Sequence, residues 1–188
     1  RNLYGSVNSL RNDAIEYDLG SVMPDEFNAA DAEFAGIQAE YNEVIDAVPF
    51  DGVKAYPLVA KLEKAQADWT VIKEQGMPKR TQIEADKASE MQLKAMSADA
   101  KTIVPERMDA ADELMAQADA FVDAGDYEMA IPAYQQAAAA YDVTAEKAKA
   151  DSLRQKIFEE GYAKYNEDEF KQGEDCLVAE EALWDSGS

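Results

Sequence analysis

The sequence predicts an all-α protein built of antiparallel helical hairpins, stacked as an irregular solenoid or an elongated bundle. Three observations predict it. Between Ala124 and Tyr141 the chain reads AGDYEMAIPAYQQAAAAY. There Tyr127, Ala130, Tyr134, Ala137 and Tyr141 follow an i, i+3, i+7, i+10, i+14 spacing, which puts all five on one face of a helix. Large and small residues alternate along that stripe, so it needs a partner helix whose side chains drop into the alanine gaps. Glycines and prolines are few, nine and six in 188 residues, and most fall where helices should start or stop. No segment alternates apolar and polar residues long enough to make a strand.

Taken in order, the elements begin with a helix over about 2–19, ended by the stretch from Gly20 to Pro24. Pro24 then opens a helix over 24–47: it occupies the first turn, where a missing N–H costs nothing, and Asp25 and Glu26 complement the helix dipole. Pro49 to Gly52 marks the next break, with Asp51 and Gly52 as turn and N-cap residues before a helix over 53–75. Gly76 to Pro78 separates that helix from one over 79–100. Pro105 opens 105–124, Gly125 and Asp126 turn the chain into 126–149, and two helices over 150–165 and 167–184 complete the set. Pro57 and Pro132 each lie about a turn inside a helix, where they shift its start or kink its axis. Eight helices joined by short turns mostly lie antiparallel to their neighbours.

An internal repeat organises these elements. VMPDEFNAADAEFA, residues 22–35, aligns without gaps to IVPERMDAADELMA, residues 103–116. Pro24 matches Pro105, Ala29 and Ala30 match Ala110 and Ala111, Asp31 matches Asp112, and Phe27 and Phe34 become Met108 and Met115. A third copy, YNEDEFKQGEDCLV at 165–178, keeps Glu169-Phe170 and puts Leu177 in the place of Phe34, with Glu167 as the counterpart of the proline. Similar segments recurring along a chain indicate stacked supersecondary units. The whole of 1–188 therefore reads as one helical repeat domain, with units over about 10–100, 101–150 and 151–184.

Composition narrows the chemistry. The 39 acidic residues outnumber the 18 basic ones, giving a formal net charge of −21. Such a surface repels phosphate backbones and anionic headgroups, so nucleic acid is not an expected partner. The same field favours cationic ligands, basic protein surfaces or divalent ions, and it equally serves as a solvated shell that keeps an alanine-rich protein soluble. Histidine is absent, which removes His-containing zinc sites, Ser-His-Asp triads, Cys-His pairs and Glu-x-x-His di-iron bundles. The single Cys176 forms no internal disulfide and has no second thiol for a metal site. No apolar run approaches the roughly eighteen residues that span a bilayer, and no signal peptide is visible.

The run from Leu114 to Ala137 resembles a tetratricopeptide repeat. Leu114, Ala118 and Phe121 stand where that family packs its first helix, Gly125 stands at the turn, and Tyr127, Ala130, Tyr134 and Ala137 stand where the second helix packs. The following unit is degenerate, with Ile157, Gly161, Phe170, Gly173 and Leu177 in corresponding places. Residues 36–100 fit poorly, and no copy has the proline that usually closes a repeat. Most of 10–184 also resembles alanine-rich helical repeat regions of spirochaete envelope proteins and lipoproteins, whose helix starts look like PDEFNAAD and whose second helices look like GDYEMAIPAYQQA. Those regions often precede a peptidoglycan-binding LysM module; no such module stands in this chain, so wall attachment is not implied. The resemblance implies a periplasmic or envelope-associated address, with any anchor in a part not in this chain.

In tetratricopeptide arrays first-helix positions line the inner groove, and by that resemblance they are Asp112, Met115, Asp119, Val122 and Asp123. Peptide-clamping members place Lys, Arg and Asn there to hold a carboxylate. Carboxylates in their place favour a basic segment or an amine, and the same aspartates also read as the solvated side of an amphipathic helix. Around Glu167, Asp168, Glu169, Glu174 and Asp175 an EF-hand frame fails, because Phe170 and Gln172 occupy ligand positions and Ala179 replaces the closing glutamate. The aromatic residues fall at helical spacing from other apolar ones, so core packing is their default role. Glycine-rich phosphate loops and G-x-S-x-G elbows are absent. No cofactor, metal site or catalytic residue is predicted, and an enzyme would have to work with Asp, Glu, Lys, Tyr or Ser alone. The expected function is a non-enzymatic helical-repeat scaffold that binds another protein with a basic surface. A structural subunit of an envelope or filament assembly, and a carboxylate-lined binder of a cationic ligand, are the alternatives.

Overall fold

The computed structural model describes residues 2–46 and 52–186, and among them every regular element is helical. In chain order these are α1 (Asn2–Glu16), α2 (Leu19–Val22), α3 (Pro24–Asp46), α4 (Gly52–Ser97), α5 (Ala100–Ile103), α6 (Pro105–Asp123), α7 (Tyr127–Glu159), a 3-10 turn (Tyr162–Tyr165) and α8 (Glu167–Asp185). The break expected at Pro49 to Gly52 lies outside the described residues except for Gly52, which opens α4.

Two expected breaks do not occur. The helices over 53–75 and 79–100 are one, the 46-residue α4, which carries Pro57 and Pro78 inside it. Gly76 is buried in α4, and a Cβ built on it would sit 3.2 Å from Leu19 Cδ1. This glycine serves a close approach of another helix and not a turn. Pro78 deprives the Glu74 carbonyl of its helical donor, a loss that packing of the helix on both sides outweighs. Likewise the helices over 126–149 and 150–165 merge into α7, with Pro132 inside it, followed by the separate 3-10 turn.

The repeat seen in the sequence is a repeated backbone device. Asp18, at φ 53° and ψ 41°, and Asp99, at φ 56° and ψ 32°, are left-handed; four helical residues follow each; then Met23 and Val104 adopt φ −139° and −134° with ψ 59° and 60° before the proline that starts the next helix. Gly161 at φ 70° and Asn166 at φ −149° and ψ 65° reproduce the device before Glu167. Hydrogen bonds recur in the same register: Tyr17 to Asp13, Ala98 to Lys94 and Glu160 to Lys156; then Phe27 to Met23, Met108 to Val104 and Phe170 to Asn166, each an amide donating to a carbonyl. A residue before proline is pushed toward extended backbone, yet Asn166 takes the same shape before a glutamate. Proline therefore reinforces this connector without being required for it.

Three hairpins are built on it. Arg11 donates to Asp31 across the first at 2.5 Å, and 143 residues later Arg154 donates to Glu174 across the third at 2.6 Å. Gln38 donates to Tyr4 in the first, and Lys147 faces Glu181 at 3.6 Å at the same two positions of the third.

The chain divides into two compact units. One comprises residues 1–90 and 112–139, the other 91–111 and 140–188. The core of the first is made of large side chains: Leu19, Phe34, Ile37, Leu58, Leu62, Trp69, Ile72, Met77 and Ile131 are all buried, and Phe27 meets Trp69 edge to face at 5.2 Å. Its helices are tied at their rims by Lys61–Glu40, Lys64–Glu33 and Lys73–Asp13 ion pairs. In the second unit the fully buried apolar positions are mostly alanines, Ala95, Ala100, Ala111, Ala145 and Ala148, around Met108 and Tyr141. Small side chains let backbones approach closely, so that core gains more from contact density than from area removed from water. The tyrosine stripe packs as its spacing predicts: Ala130, Tyr134, Ala137 and Tyr141 are buried and Tyr127 is half-buried.

Candidate functional site

The residues expected to line a groove all lie on α6. Asp112, Met115 and Val122 are half-buried, and Asp119 and Asp123 are exposed. Asp119 accepts a hydrogen bond from Tyr134 Oη at 2.6 Å. Burial first, and that bond second, raise the Tyr134 phenol well above its ordinary value. In repeat register the five residues correspond to Asp31, Phe34, Gln38, Tyr41 and Asn42 of α3. There Asp31 takes Arg11, Gln38 bonds Tyr4, and the Tyr41 and Tyr4 rings stack 4.0 Å apart. These positions in the first hairpin are the seam between its own two helices.

Within the first unit, a cavity of about 630 Å³ lies between Leu10, Thr70, Lys73, Met77 and the Ala124–Glu128 turn. Lys73 bridges Asp13 and Glu128, each at 2.7 Å, and these two partners hold its ammonium above its usual range. Tyr17 nearby is raised by burial and then by the Glu128 charge. Glu84 is buried, with Arg80 and Lys87 paired to its carboxylate from the same helix. The signal for that pairing was present in the sequence as cations four residues before and three after one glutamate.

The larger concavity, about 880 Å³, is in the second unit, between the start of α6, the last turns of α7, and α8. Its floor is Arg107, 4% exposed, which donates to Glu180 and, at 2.8 Å, to Glu181, with its guanidinium 4.5 Å from the Trp184 ring centre. Lys147 pairs with Asp151 at 2.9 Å, and Arg154 holds Glu174 below the usual carboxylate range. Each of these cations meets carboxylates of the wall, so the groove's charges join α6, α7 and α8. An Arg between Val104 and Met108, on the buried side of α6, is the sequence feature that marks this floor.

Around that hairpin large apolar side chains are exposed among charged ones. Leu153, Phe158, Tyr162, Val178 and Leu183 are each 58–70% exposed. Among the described residues no group of three or more Cys, Asp and Glu is placed to hold a metal, and no helix is long and apolar enough to cross a membrane. Neither a family model, nor a curated protein, nor a solved structure matches this chain.

Proposed function

We propose that this chain is a non-enzymatic helical-repeat scaffold, tetratricopeptide-like in its hairpin stacking, that binds another protein in a bacterial envelope. The observation that carries the reading is the third hairpin. It repeats the connector of the first two, yet Tyr162 and Gly173 are exposed where Leu19 and Ala30 of the first hairpin and Ala100 and Ala111 of the second are buried. An apolar position left open beside charged groups is a place where a partner protein can dock. The envelope address rests on the resemblance of residues 10–184 to spirochaete envelope repeats.

Site-specific photo-crosslinking in the native cell tests it. A crosslinker at Tyr162 or Leu183 is expected to yield one discrete adduct, and a crosslinker at Ser9, on the exposed polar side of α1, none. Diffuse labelling from every position, or none from the third hairpin, overturns the reading.

A further inference from the structure

We infer that the third hairpin, formed by the end of α7 and by α8, docks one amphipathic helix of a partner protein, with an apolar stripe and an acidic pair that meets Lys156. The inference rests on the scaffold reading and names the chemistry of its partner.

The chain itself shows what covers this face. In the first hairpin Ala14, Leu19 and Ala30 are 0%, 0% and 6% exposed, and in the second their equivalents Ala95, Ala100 and Ala111 are all 0%. In the third, Ile157 is half-buried, Tyr162 is 58% exposed and Gly173 is exposed. The cover in the first case is the helix that follows, α4: Gly76 lies against Leu19, Trp69 against Phe27, and Lys73 bonds Asp13. For the second hairpin it is α7, whose Asp142 and Glu146 take Lys94 at 2.5 and 2.7 Å and push its ammonium up to about 12.

Charge chooses between the two kinds of cover. The position of Asp13 in the first hairpin is Lys94 in the second and Lys156 in the third. Glu33 and Glu40, which bond lysines of α4, become Leu114 and Phe121 in the second hairpin and Cys176 and Leu183 in the third. A helix like α4 would bring Lys61 and Lys64 onto apolar side chains and Lys73 onto a lysine. A helix like α7 brings an acidic pair to the lysine. The exposed side of α1 offers no such helix from a second copy, because it carries Gly5, Ser6, Ser9 and Asn12 with a single large apolar residue, Ile15, and no apolar stripe.

A fluorescent peptide with the sequence of residues 127–149, added to the full chain, is the probe. Saturable binding is expected, with slower alkylation of the exposed Cys176. Tyr162→Asp and Lys156→Glu should each weaken it by about tenfold or more, and a peptide carrying Asp142→Lys and Glu146→Lys should recover binding to the Lys156→Glu chain. Circular dichroism of each variant checks that the helices persist, and Ser9→Asp should leave binding unchanged. Absence of saturable binding, or binding indifferent to Tyr162→Asp and Lys156→Glu, overturns the inference. So does sedimentation that shows a dimer abolished by Tyr162→Asp, which would make a second copy the occupant. A silent peptide alongside a discrete crosslink at Tyr162 refutes only the partner's chemistry; loss of both refutes the scaffold as well.

Discussion

Asp18 and Asp99, 81 residues apart, hold the same left-handed backbone conformation at φ 53° and 56°. An L-residue there costs about 1–2 kcal/mol, and Asp is among the few that tolerate it. Asp18→Gly removes the strain while loosening the unfolded chain, so the two effects nearly cancel, to within about 0.5 kcal/mol. Asp18→Val, β-branched, is expected to cost at least about 1–2 kcal/mol. Urea midpoints at constant m-value check both; a tolerated valine would mean that the connector does not need this conformation.

Gly76 sits where α4 meets Leu19, with 3.2 Å between a built Cβ and Leu19 Cδ1. Gly76→Ala is expected to be close to neutral, since about 1 kcal/mol of helix propensity offsets a contact that a leucine rotamer can relieve. Gly76→Leu has no such room and should destabilise by about 1–3 kcal/mol. Thermal unfolding of the two variants separates a packing glycine from a helix-breaking one, for which both substitutions would stabilise.

How far the sequence was legible follows from cases like this one. The all-helical class, the starts of the helices at Pro24, Pro105 and Glu167 and the tyrosine stripe were readable because each leaves a local pattern: spacing, a proline in a first turn, a recurring acidic start. Gly76-Met77-Pro78 misled because a glycine that admits a neighbour and a glycine that ends a helix look alike until the neighbour, Leu19, is in place. The α6 carboxylates were legible as a face. That Asp119 belongs to Tyr134 was not, since the bond joins two helices across the Gly125 turn. The exposure of the third hairpin was equally hidden: Tyr162 and Leu19 are both apolar residues one after the left-handed position, and only coordinates show that one is covered.

Tyr134 and Asp119 also make stability depend on pH. Burial and the hydrogen bond raise the phenol above its ordinary value near 10. The folded chain therefore keeps its proton where the unfolded chain has lost it. That contribution is complete below pH 10 and is lost as pH rises from there through the folded value. Tyr134→Phe should cost about 0.5–1.5 kcal/mol at neutral pH, because exposed Asp119 regains water, and it should flatten the decline of stability above pH 10. Denaturant titrations of both proteins between pH 9 and 11 check it. Equal slopes would show that Tyr17, also raised, or other groups carry the effect.

Arg107 and Arg154 anchor α8 through pairs of opposite character. The Arg107 side chain is 4% exposed, and that of Arg154 is 53% exposed. Removing a buried partner leaves carboxylates without their cation, and the cost reaches about 3–5 kcal/mol when the remaining charge is also buried. Glu180 and Glu181 are 37% and 51% exposed, so they rehydrate, and Arg107→Met should cost less, about 1–3 kcal/mol. Lys147 retains a hold on Glu181 at 3.6 Å, which limits the loss further. Arg154→Ala breaks an exposed, solvent-screened pair and should cost much less than Arg107→Met. Salt separates them: near 1 M the screening length falls to about 3 Å, erasing most of the Arg154 effect while the Arg107 effect persists. Hydrogen exchange of the α8 amides is the readout, because only detachment of α8 speeds it without touching α1 to α3. Equal salt sensitivity of the two variants would mean that Arg107 is not the buried anchor of this helix.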